Sequence, residues 1–257
     1  MRITDQKYLA AYEARLGFDL LDFFESIGFS DKKADLDFRI RASAVFSSNI
    51  EGNTIDLNSY MNSIISKTPF KPQKDLQEIE DLVAAYEFAK KQDLTETKFL
   101  QVHKTLSKGL LVKGKRGIYR NDRMGVFDNT GLIYLAVEPE LVKENMELFF
   151  EDISSLLGQE LGLTELFYHA ALIHLKFVHI HPFWDGNGRA ARLLEKWFLS
   201  KKIGERAWKI QAERYYKEHL SDYYAAINLG VNYYELNYDK CMPFLMLLVE
   251  ALKQEKR

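Results

Sequence analysis

The stretch that decides the fold reads His181-Pro182-Phe183-Trp184-Asp185-Gly186-Asn187-Gly188-Arg189-Ala190-Ala191-Arg192. Pro182 disfavours helix at the residue before it. We therefore expect the preceding helix to end near Ile180 and His181 to be extended, on a loop.

The two glycines of this stretch, Gly186 and Gly188, permit backbone angles that other residues avoid. Around Asn187 they could form a nest of N–H groups that face one point. The run from 189 to 199 favours a helix, whose free N-terminal N–H groups and dipole attract an anion to the same point. The backbone of this segment is therefore predicted to bind an anion.

The side chains of the stretch extend that prediction. Arg189 and Arg192 lie three positions apart on one helical face, and each offers a fork of donors suited to phosphate oxygens. Asp185 is a hard oxygen ligand, placed to hold Mg²⁺ against phosphates. His181 can take a proton near neutral pH. The pattern predicts a nucleoside triphosphate site with an attached base, whereas a glycine-rich cap on a surface helix would not need all of these groups.

The whole stretch resembles the signature of the Fic family, His-x-Phe-x-Asp/Glu-Gly-Asn-Gly-Arg-x-x-Arg, and matches it at every specified position. The lead-in from 174 to 180 is similar to the helix that precedes the signature. The resemblance implies a mainly helical bundle with a small β-hairpin flap over the active site. It also implies a protein adenylyltransferase, which moves AMP from ATP to a Tyr, Thr or Ser hydroxyl of a target protein.

The resemblance also implies a role for each residue of the signature. His181 would deprotonate the target hydroxyl, Asp185 would hold Mg²⁺, and Phe183 would anchor the loop in the core. The residues of the anion hole would be Gly186, Asn187 and Gly188, and those that bind the outer phosphates would be Arg189 and Arg192.

A second motif, Ser47-Ser48-Asn49-Ile50-Glu51-Gly52, ends a predicted helix over 32–51. Gly52 suits a left-handed residue after the last turn, and Glu51 needs a cationic partner because the helix dipole disfavours negative charge there. Through Ser47, Glu51 and Gly52 the segment resembles the inhibitory motif of the Fic class that carries an N-terminal inhibitory helix. The resemblance implies that Glu51 pairs with Arg192 and holds back the γ-phosphate. In some relatives the same glutamate positions a water that removes AMP.

Two β-prone runs flank Asp128-Asn129-Thr130-Gly131 and predict a hairpin. In a Fic-like chain the segment 123–136 would be the flap, on which an extended target segment docks by strand addition. Further on, Tyr223 and Tyr224 are similar to a Tyr-Tyr pair near the adenine in the family. His219 and Leu220 replace the usual Asn-Arg before that pair, which leaves the nucleotide preference open.

The rest of the chain is predicted to be helical, because leucine, alanine, glutamate and lysine are abundant and proline is rare. The further predicted helices are 5–16, 18–27, 56–66, 74–91, 95–108, 139–157, 164–179, 188–201, 213–228 and 240–254, with Asp56 and Thr164 as N-caps. Pro69 and Pro72 predict a junction between an N-terminal helical extension, 1–68, and the catalytic core, 69–257.

Composition narrows the classes of function. With 257 residues, 47% of them hydrophobic and a net charge of −2, the chain can form a packed core and does not suggest nucleic acid or membrane as a partner. The single cysteine, Cys241, excludes an internal disulfide, and the absence of an apolar signal core favours the cytoplasm. His169, His174, His179 and His181 lack the spacing of a metal cluster, and His174 is expected to be a core or supporting residue.

The predicted partners are ATP with Mg²⁺ and a target protein, and self-association is common in the family. Two alternatives stay open at this point. One is another transfer on the same scaffold, of UMP, phosphate or phosphocholine, although Gly188 departs from the lysine typical of the phosphate-transferring branch. The other is a non-catalytic interaction module, against which the intact His181, Asp185 and Arg192 argue.

Overall fold

The structure, a computed structural model, describes residues 1–66, 73–128 and 131–255. Its helices are α1 (Leu9–Leu16), α2 (Leu20–Glu25), α3 (Lys33–Ile50), α4 (Leu57–Ser66), α5 (Gln73–Lys90), α6 (Glu96–Leu106), α7 (Pro139–Gly158), α8 (Leu163–Ile180), α9 (Asn187–Ile203), α10 (Arg206–Lys209), α11 (Ala212–Glu218), α12 (Leu220–Ile227) and α13 (Met242–Gln254). Short 3₁₀ turns lie at Lys113–Lys115, Tyr233–Glu235 and Tyr238–Lys240. The mainly helical fold predicted from the sequence is confirmed.

Helix α8 is the centre of the bundle. Helices α1, α2, α7, α9 and α13 pack around it, and α9 is its most extensive neighbour. Residues on all of its sides are buried, among them Leu166, Phe167, Ala170 and Leu172. A helix enclosed on nearly all faces must be apolar around its circumference. The site residues at the end of α8 and the start of α9 are thus fixed by the core of the protein.

Some predicted elements differ from the observed ones. The predicted helix 213–228 is interrupted at His219, whose ψ of 43° is not helical and whose ring stacks on Tyr215. Helix α8 begins at Leu163 with Gly162 as its N-cap, so Thr164 is not a cap, because the Glu165 carboxylate accepts from the Gly162 N–H instead. Asp56 does cap α4, through a 2.9 Å bond from Ser59 N to its carboxylate.

The proposed domain junction at 67–72 lies outside the described residues. The hydrophobic core runs continuously across both predicted parts, since Tyr12, Leu20 and Ile40 belong to the same buried cluster as the residues of α8 and α9. Helix α3 packs on α5, α9, α10 and α11. The N-terminal helices are therefore integrated into the fold, and the division at 68 and 69 stays a prediction.

The predicted hairpin is present. Strand β1 (Gly125–Asp128) pairs antiparallel with β2 (Gly131–Leu135), with an irregularity in register between Val126 and Phe127. Residues 129 and 130 of the predicted turn lie outside the described residues. The far side of β2 is attached to the body of the protein, where the Leu135 N–H donates to the Val231 carbonyl at 2.9 Å. In the described part of the chain, no helix is long and apolar enough to cross a membrane.

Candidate active site

His181 lies at the point where α8 ends. Its backbone is left-handed, with φ 52° and ψ 58°, so the predicted extended conformation is wrong. A left-handed residue closes a helix efficiently, and here that requirement outweighs the preference imposed by Pro182. The conformation is unfavourable for a residue other than glycine and must be held by its surroundings. Arg120 does this, because its Nε donates to the His181 carbonyl at 2.7 Å and its N–H to the Pro182 carbonyl at 2.9 Å.

The His181 imidazole is suited to accept a proton. Its Nδ1 lies 3.3 Å from the Val178 carbonyl, which can only accept, so Nδ1 carries the hydrogen and Nε2 is left with a lone pair. Within the described residues, Nε2 has no hydrogen-bond partner. Burial lowers the pKa of His181 to about 4. The side chain is therefore neutral at physiological pH.

The loop after His181 is anchored by Phe183, which is fully buried. His103 of α6 stacks on it, with ring centroids 3.4 Å apart and planes within 6°. His103 Nδ1 accepts from the Gly117 N–H at 3.0 Å, so Nε2–H donates to the Asp185 carbonyl at 2.9 Å. His103 thus holds the loop at both Phe183 and Asp185. This role could not be predicted from the sequence, because no local motif surrounds His103.

The turn itself is built differently from the predicted nest. Gly186 is left-handed, with φ 80°, but Gly188 has no positive φ and lies in the first turn of α9. Gly188 is needed for another reason: a Cβ there would overlap a carboxylate oxygen of Glu51 and would lie 3.1 Å from Arg192 Nη1. The Asn187 side chain does not face the site; it closes the loop through bonds of 2.9 and 2.8 Å with the backbone of Phe183. Of Asn187, only the backbone N–H at the start of α9 remains to bind an anion.

Arg192 is 1% exposed and is bound mainly by residues of the second motif. Its Nη2 donates to Glu51 Oε1 at 2.7 Å and to the Ser47 carbonyl at 2.9 Å, while its Nε donates to Ser47 Oγ at 2.8 Å. Burial raises the pKa of Glu51, but the charges of Arg192 and Arg189 outweigh this effect, so the pKa lies below its usual value. Gly52 is left-handed, with φ 94°, as expected after the last turn of α3. Two segments 141 residues apart in sequence therefore meet as an ion pair.

Arg189, one turn earlier on α9, has a different environment. It lies 3.3 Å from a Glu78 oxygen of α5 and 3.4 Å from Asp185 Oδ1. Its Nε is buried without a partner among the described residues. Asp185 Oδ1 also accepts from the Gly186 N–H at 2.6 Å, and the Asp185 side chain is 50% exposed. An anion bound at Arg189 would therefore share the guanidinium with these two carboxylates, apart from the unpaired Nε–H.

A cavity of about 640 Å³ brings His181 and Arg192 together, whereas the predicted site residues Asp185, Gly186, Asn187 and Arg189 are not among its lining residues. Its inner wall, as we call it below, consists of Glu51, Gly188, Arg192 and Tyr223. Its outer wall belongs to the hairpin and consists of Val126, Phe127, Ile133 and Tyr134. His181 lies between the two walls. The cavity is large enough for a drug-sized ligand.

The predicted adenine-pocket residues both line this cavity, but in different ways. Tyr223 is buried, and its hydroxyl lies 3.3 Å from Arg192 Nη1, whereas Tyr224 is 47% exposed and donates to the Ile50 carbonyl at 3.2 Å. Asn228 also lines the cavity, and its amide could read the edge of a base. No sequence motif points to Asn228. His219 is not among the cavity-lining residues and stacks on Tyr215 instead.

Comparison with known proteins identifies a family match within the chain. Residues 93–199, which include α6, the hairpin, α8 and most of α9, match the Fic/DOC family. Residues 93–199 form a domain of the Fic family. Over 214 residues the chain is 26% identical to a protein adenylyltransferase Fic of the sea anemone Nematostella vectensis, and a segment of 62 residues is 45% identical to a protein adenylyltransferase of Caenorhabditis elegans.

Solved Fic structures share the fold. A Fic family protein of Desulfovibrio desulfuricans superposes with a TM-score of 0.74 at 23% identity, covering 98% of this chain and 73% of that one. A Fic domain-containing signalling protein of Bacteroides thetaiotaomicron gives a TM-score of 0.67 at 22% identity, covering 92% of this chain and 93% of that one. The match to the sea anemone protein covers 80% of this chain and 45% of that protein. The match to the C. elegans protein covers 24% of this chain and 11% of that protein, so this chain spans less than half the length of either relative.

Proposed function

We propose that this chain is a protein adenylyltransferase that transfers AMP from ATP, with Mg²⁺, to a hydroxyl of a target protein. The observation that carries the proposal is the presence of a neutral, deprotonated histidine nitrogen and a buried arginine in one cavity. His181 supplies the nitrogen, and Arg192, with the first turn of α9, supplies the phosphate-binding charge. The names of the curated relatives support the same activity.

The reaction follows from these groups. His181 Nε2 takes the proton of the target hydroxyl, whose oxygen attacks the α-phosphorus of ATP. The bond from the α-phosphorus to the bridging oxygen breaks, and pyrophosphate leaves. The N–H groups at the start of α9, with Arg189 and Arg192, offset the charge of the outer phosphates. Orientation and charge neutralisation supply most of the acceleration in such transfers.

Asp185 is the residue that would hold Mg²⁺. Its carboxylate is half exposed, and Oδ2 has no hydrogen-bond partner within the described residues. No group of three or more His, Cys, Asp or Glu side chains in the described part of the chain could hold a metal without help. A Mg²⁺ ion commonly takes one or two carboxylates and completes its shell with substrate phosphates and waters. The residues therefore fit an ion that arrives with ATP and neutralises its phosphate charge.

We further propose that Glu51 inhibits this activity. Its carboxylate lies against Gly188 and binds Arg192, where an outer phosphate would lie, so the two anions compete for one guanidinium. A charge-assisted pair of this kind biases the site by about 1–3 kcal/mol, which is about ten- to a hundred-fold in rate. The Glu51 side chain is 29% exposed, so it can leave Arg192 without unfolding α3.

The test is transfer of label from ATP carrying radioactive α-phosphate, with Mg²⁺ and a cell lysate as the source of targets. We expect Glu51→Gly to raise labelling of protein by about ten- to a hundred-fold over the unmodified chain. Glu51→Gln should also raise it, since the charge is lost and the size kept, while the exposed Glu144→Gln is the matched control. Equal labelling by all four proteins would rule out the inhibition, and labelling that survives His181→Ala in the Glu51→Gly background would rule out the mechanism.

The same assay can identify the donor nucleotide and the target protein. A panel of ATP, UTP and other nucleotides, read by the mass added to the target, distinguishes AMP transfer from other transfers. The outer edge of β1 pairs with no other described strand, so we propose that an extended target segment adds there. Removal of AMP by the unmodified chain, a second role proposed for Glu51, would be measured as loss of label from a target modified beforehand.

A further inference from the structure

Beneath the inner wall lies a chain of buried hydrogen bonds that starts at Arg192. Arg192 Nη1 lies 3.3 Å from the Tyr223 hydroxyl, which lies 2.9 Å from His174 Nε2. His174 Nδ1 lies 2.8 Å from Glu195 Oε2. All four residues are at most 2% exposed. The chain therefore links the phosphate-binding arginine to a carboxylate of α9 through two other helices, α12 and α8.

The donors and acceptors of this chain have one consistent direction. Arginine can only donate, so the Tyr223 oxygen accepts from Arg192 and gives its own hydrogen to His174 Nε2. His174 Nδ1–H then donates to Glu195. Burial raises the pKa of the Tyr223 hydroxyl, which keeps its proton in place. A protonated Nε2 would leave the Tyr223 hydrogen buried with no acceptor, at a cost that disfavours this arrangement.

The contacts of Arg192 divide into two groups. Glu51 is an exposed, charged side chain that a phosphate can replace. Ser47 and Tyr223 are buried and neutral, and they bind opposite ends of the guanidinium, Nε and Nη1. Because the guanidinium is planar and rigid, two fixed points determine its orientation.

We propose that Glu195, His174 and Tyr223 form a positioning relay that keeps the Arg192 guanidinium facing the cavity after Glu51 has left it. The relay rests on the proposed function, since it assigns Arg192 to an outer phosphate. That phosphate is the γ-phosphate, which ATP has and ADP lacks. The relay also gives Tyr223 a role through Arg192, at the phosphate end of the cavity and not at the adenine. Tyr223 is thus a positioning residue for nucleotide binding.

The variant Tyr223→Phe isolates the hydroxyl. The ring of Tyr223 stacks on Tyr216 at 5.0 Å and packs on Phe244 at 6.0 Å, and phenylalanine keeps both contacts. Tyr86→Phe is a matched control, because the Tyr86 hydroxyl is also buried and donates to a glutamate, Glu213, at 2.6 Å, but does not reach Arg192. Both variants are made in the Glu51→Gly background, where the arginine is free for phosphate.

The experiment measures the dissociation constants of ATP and ADP, each with Mg²⁺, by calorimetry. We expect the Glu51→Gly protein to prefer ATP, and Tyr223→Phe to reduce that preference by about five- to tenfold through weaker ATP binding alone. ADP affinity should stay within about twofold in every variant, which also shows that the fold is intact, and Tyr86→Phe should keep the full preference.

Three results would overturn the relay. They are an unchanged preference in Tyr223→Phe, an equal loss of ATP and ADP affinity, and the absence of any preference in the Glu51→Gly protein itself. Binding is measured without transfer, so a protein that prefers ATP through Tyr223 but labels no target would contradict the proposed transfer and leave the relay standing.

Discussion

The inner and outer walls of the cavity differ in burial, polarity and secondary structure, and these properties decide how rigid each wall is. Arg192 and Tyr223 of the inner wall are buried polar side chains, and Arg192 is bound by Ser47, Glu51 and Tyr223. The outer wall is a two-stranded ribbon whose Phe127 is 69% exposed. Buried charges are costly unless each is paired, so the inner wall tolerates few arrangements, whereas a two-stranded hairpin is only marginally stable by itself. We infer that control of the nucleotide belongs to the inner wall and adaptation to targets to the outer one.

The rigidity of the inner wall comes from a ladder between α3 and α9. Glu51 and Ser47 bind Arg192, and one turn further Ser43 Oγ accepts from Lys196 Nζ at 2.6 Å. Lys196 also pairs with Glu213 of α11 at 2.8 Å. Helix α3, whose end carries the glutamate that we propose to be inhibitory, is thus attached along its length to α9. Relief of inhibition should therefore involve the Glu51 side chain and not dissociation of α3.

The largest effect is expected at His181, which lies between the two walls. In the Glu51→Gly background, His181→Ala should reduce transfer of AMP by about 10²- to 10⁴-fold, because the target hydroxyl loses its base. The measurement is the initial rate of label transfer, with the melting temperature as a check on folding. ATP affinity should change little, since His181 acts on the target. A loss of ATP binding equal to the loss of rate would instead give His181 a role in the inner wall.

The sequence predicted more of the site residues than of the residues that hold them in place. The helices follow from composition, and the resemblance of Ser47, Glu51 and Gly52 to the family's inhibitory motif predicted that Glu51 would pair with Arg192. The left-handed conformation of His181 was missed, because helix closure and Arg120 outweigh the local effect of Pro182. Gly188 was attributed to backbone freedom, whereas the observed need is space for a carboxylate 137 positions earlier.

A core or supporting role was expected for His174 but not for His103, and the partners of both residues could not be predicted, for a common reason. His103 and His174 have partners that are distant in sequence, at 82 and 49 positions for Asp185 and Tyr223. Local sequence patterns show the periodicity of a helix, but they do not show which buried polar group elsewhere in the chain will contact a given residue of that helix. The break at His219 is also invisible locally, since neither glycine nor proline marks it.

Removal of Lys196 tests the rigidity assigned to the inner wall. Lys196→Ala leaves the buried Glu213 carboxylate without its cation, and we expect the free energy of unfolding to fall by about 3–5 kcal/mol. The matched control is Lys143→Ala, which breaks a 3.6 Å pair with Glu147 between side chains that are 79% and 52% exposed. That change should cost at most about 1 kcal/mol. Urea unfolding measures both, and equal costs would contradict the distinction between buried and exposed pairs.

The pH dependence of transfer tests the burial of His181 between the walls. A histidine with a pKa near 6.5 would be about 90% protonated at pH 5.5 and would lose about tenfold in rate. Because burial lowers the pKa of His181 to about 4, the neutral form persists as the pH falls, and the rate should be kept at pH 5.5. The measurement is kcat/KM of the Glu51→Gly protein between pH 5 and 8. A midpoint near pH 6.5 would mean that His181 is hydrated in the free enzyme.

The smallest effect is expected from the bond that anchors the hairpin to α8. The Tyr134 hydroxyl donates to the His179 carbonyl at 2.5 Å, and Tyr134→Phe removes this bond but keeps the ring. One such bond contributes about 1 kcal/mol, so amide exchange in residues 124–136 should become about fivefold faster, while the rest of the chain is unchanged. Tyr234→Phe is the control, because Tyr234 is 65% exposed and bonds to Glu138 outside the hairpin. Exchange that accelerates equally in α3 and α9 would show that the hairpin and the buried ladder open together, and the two walls would then be one mechanical unit.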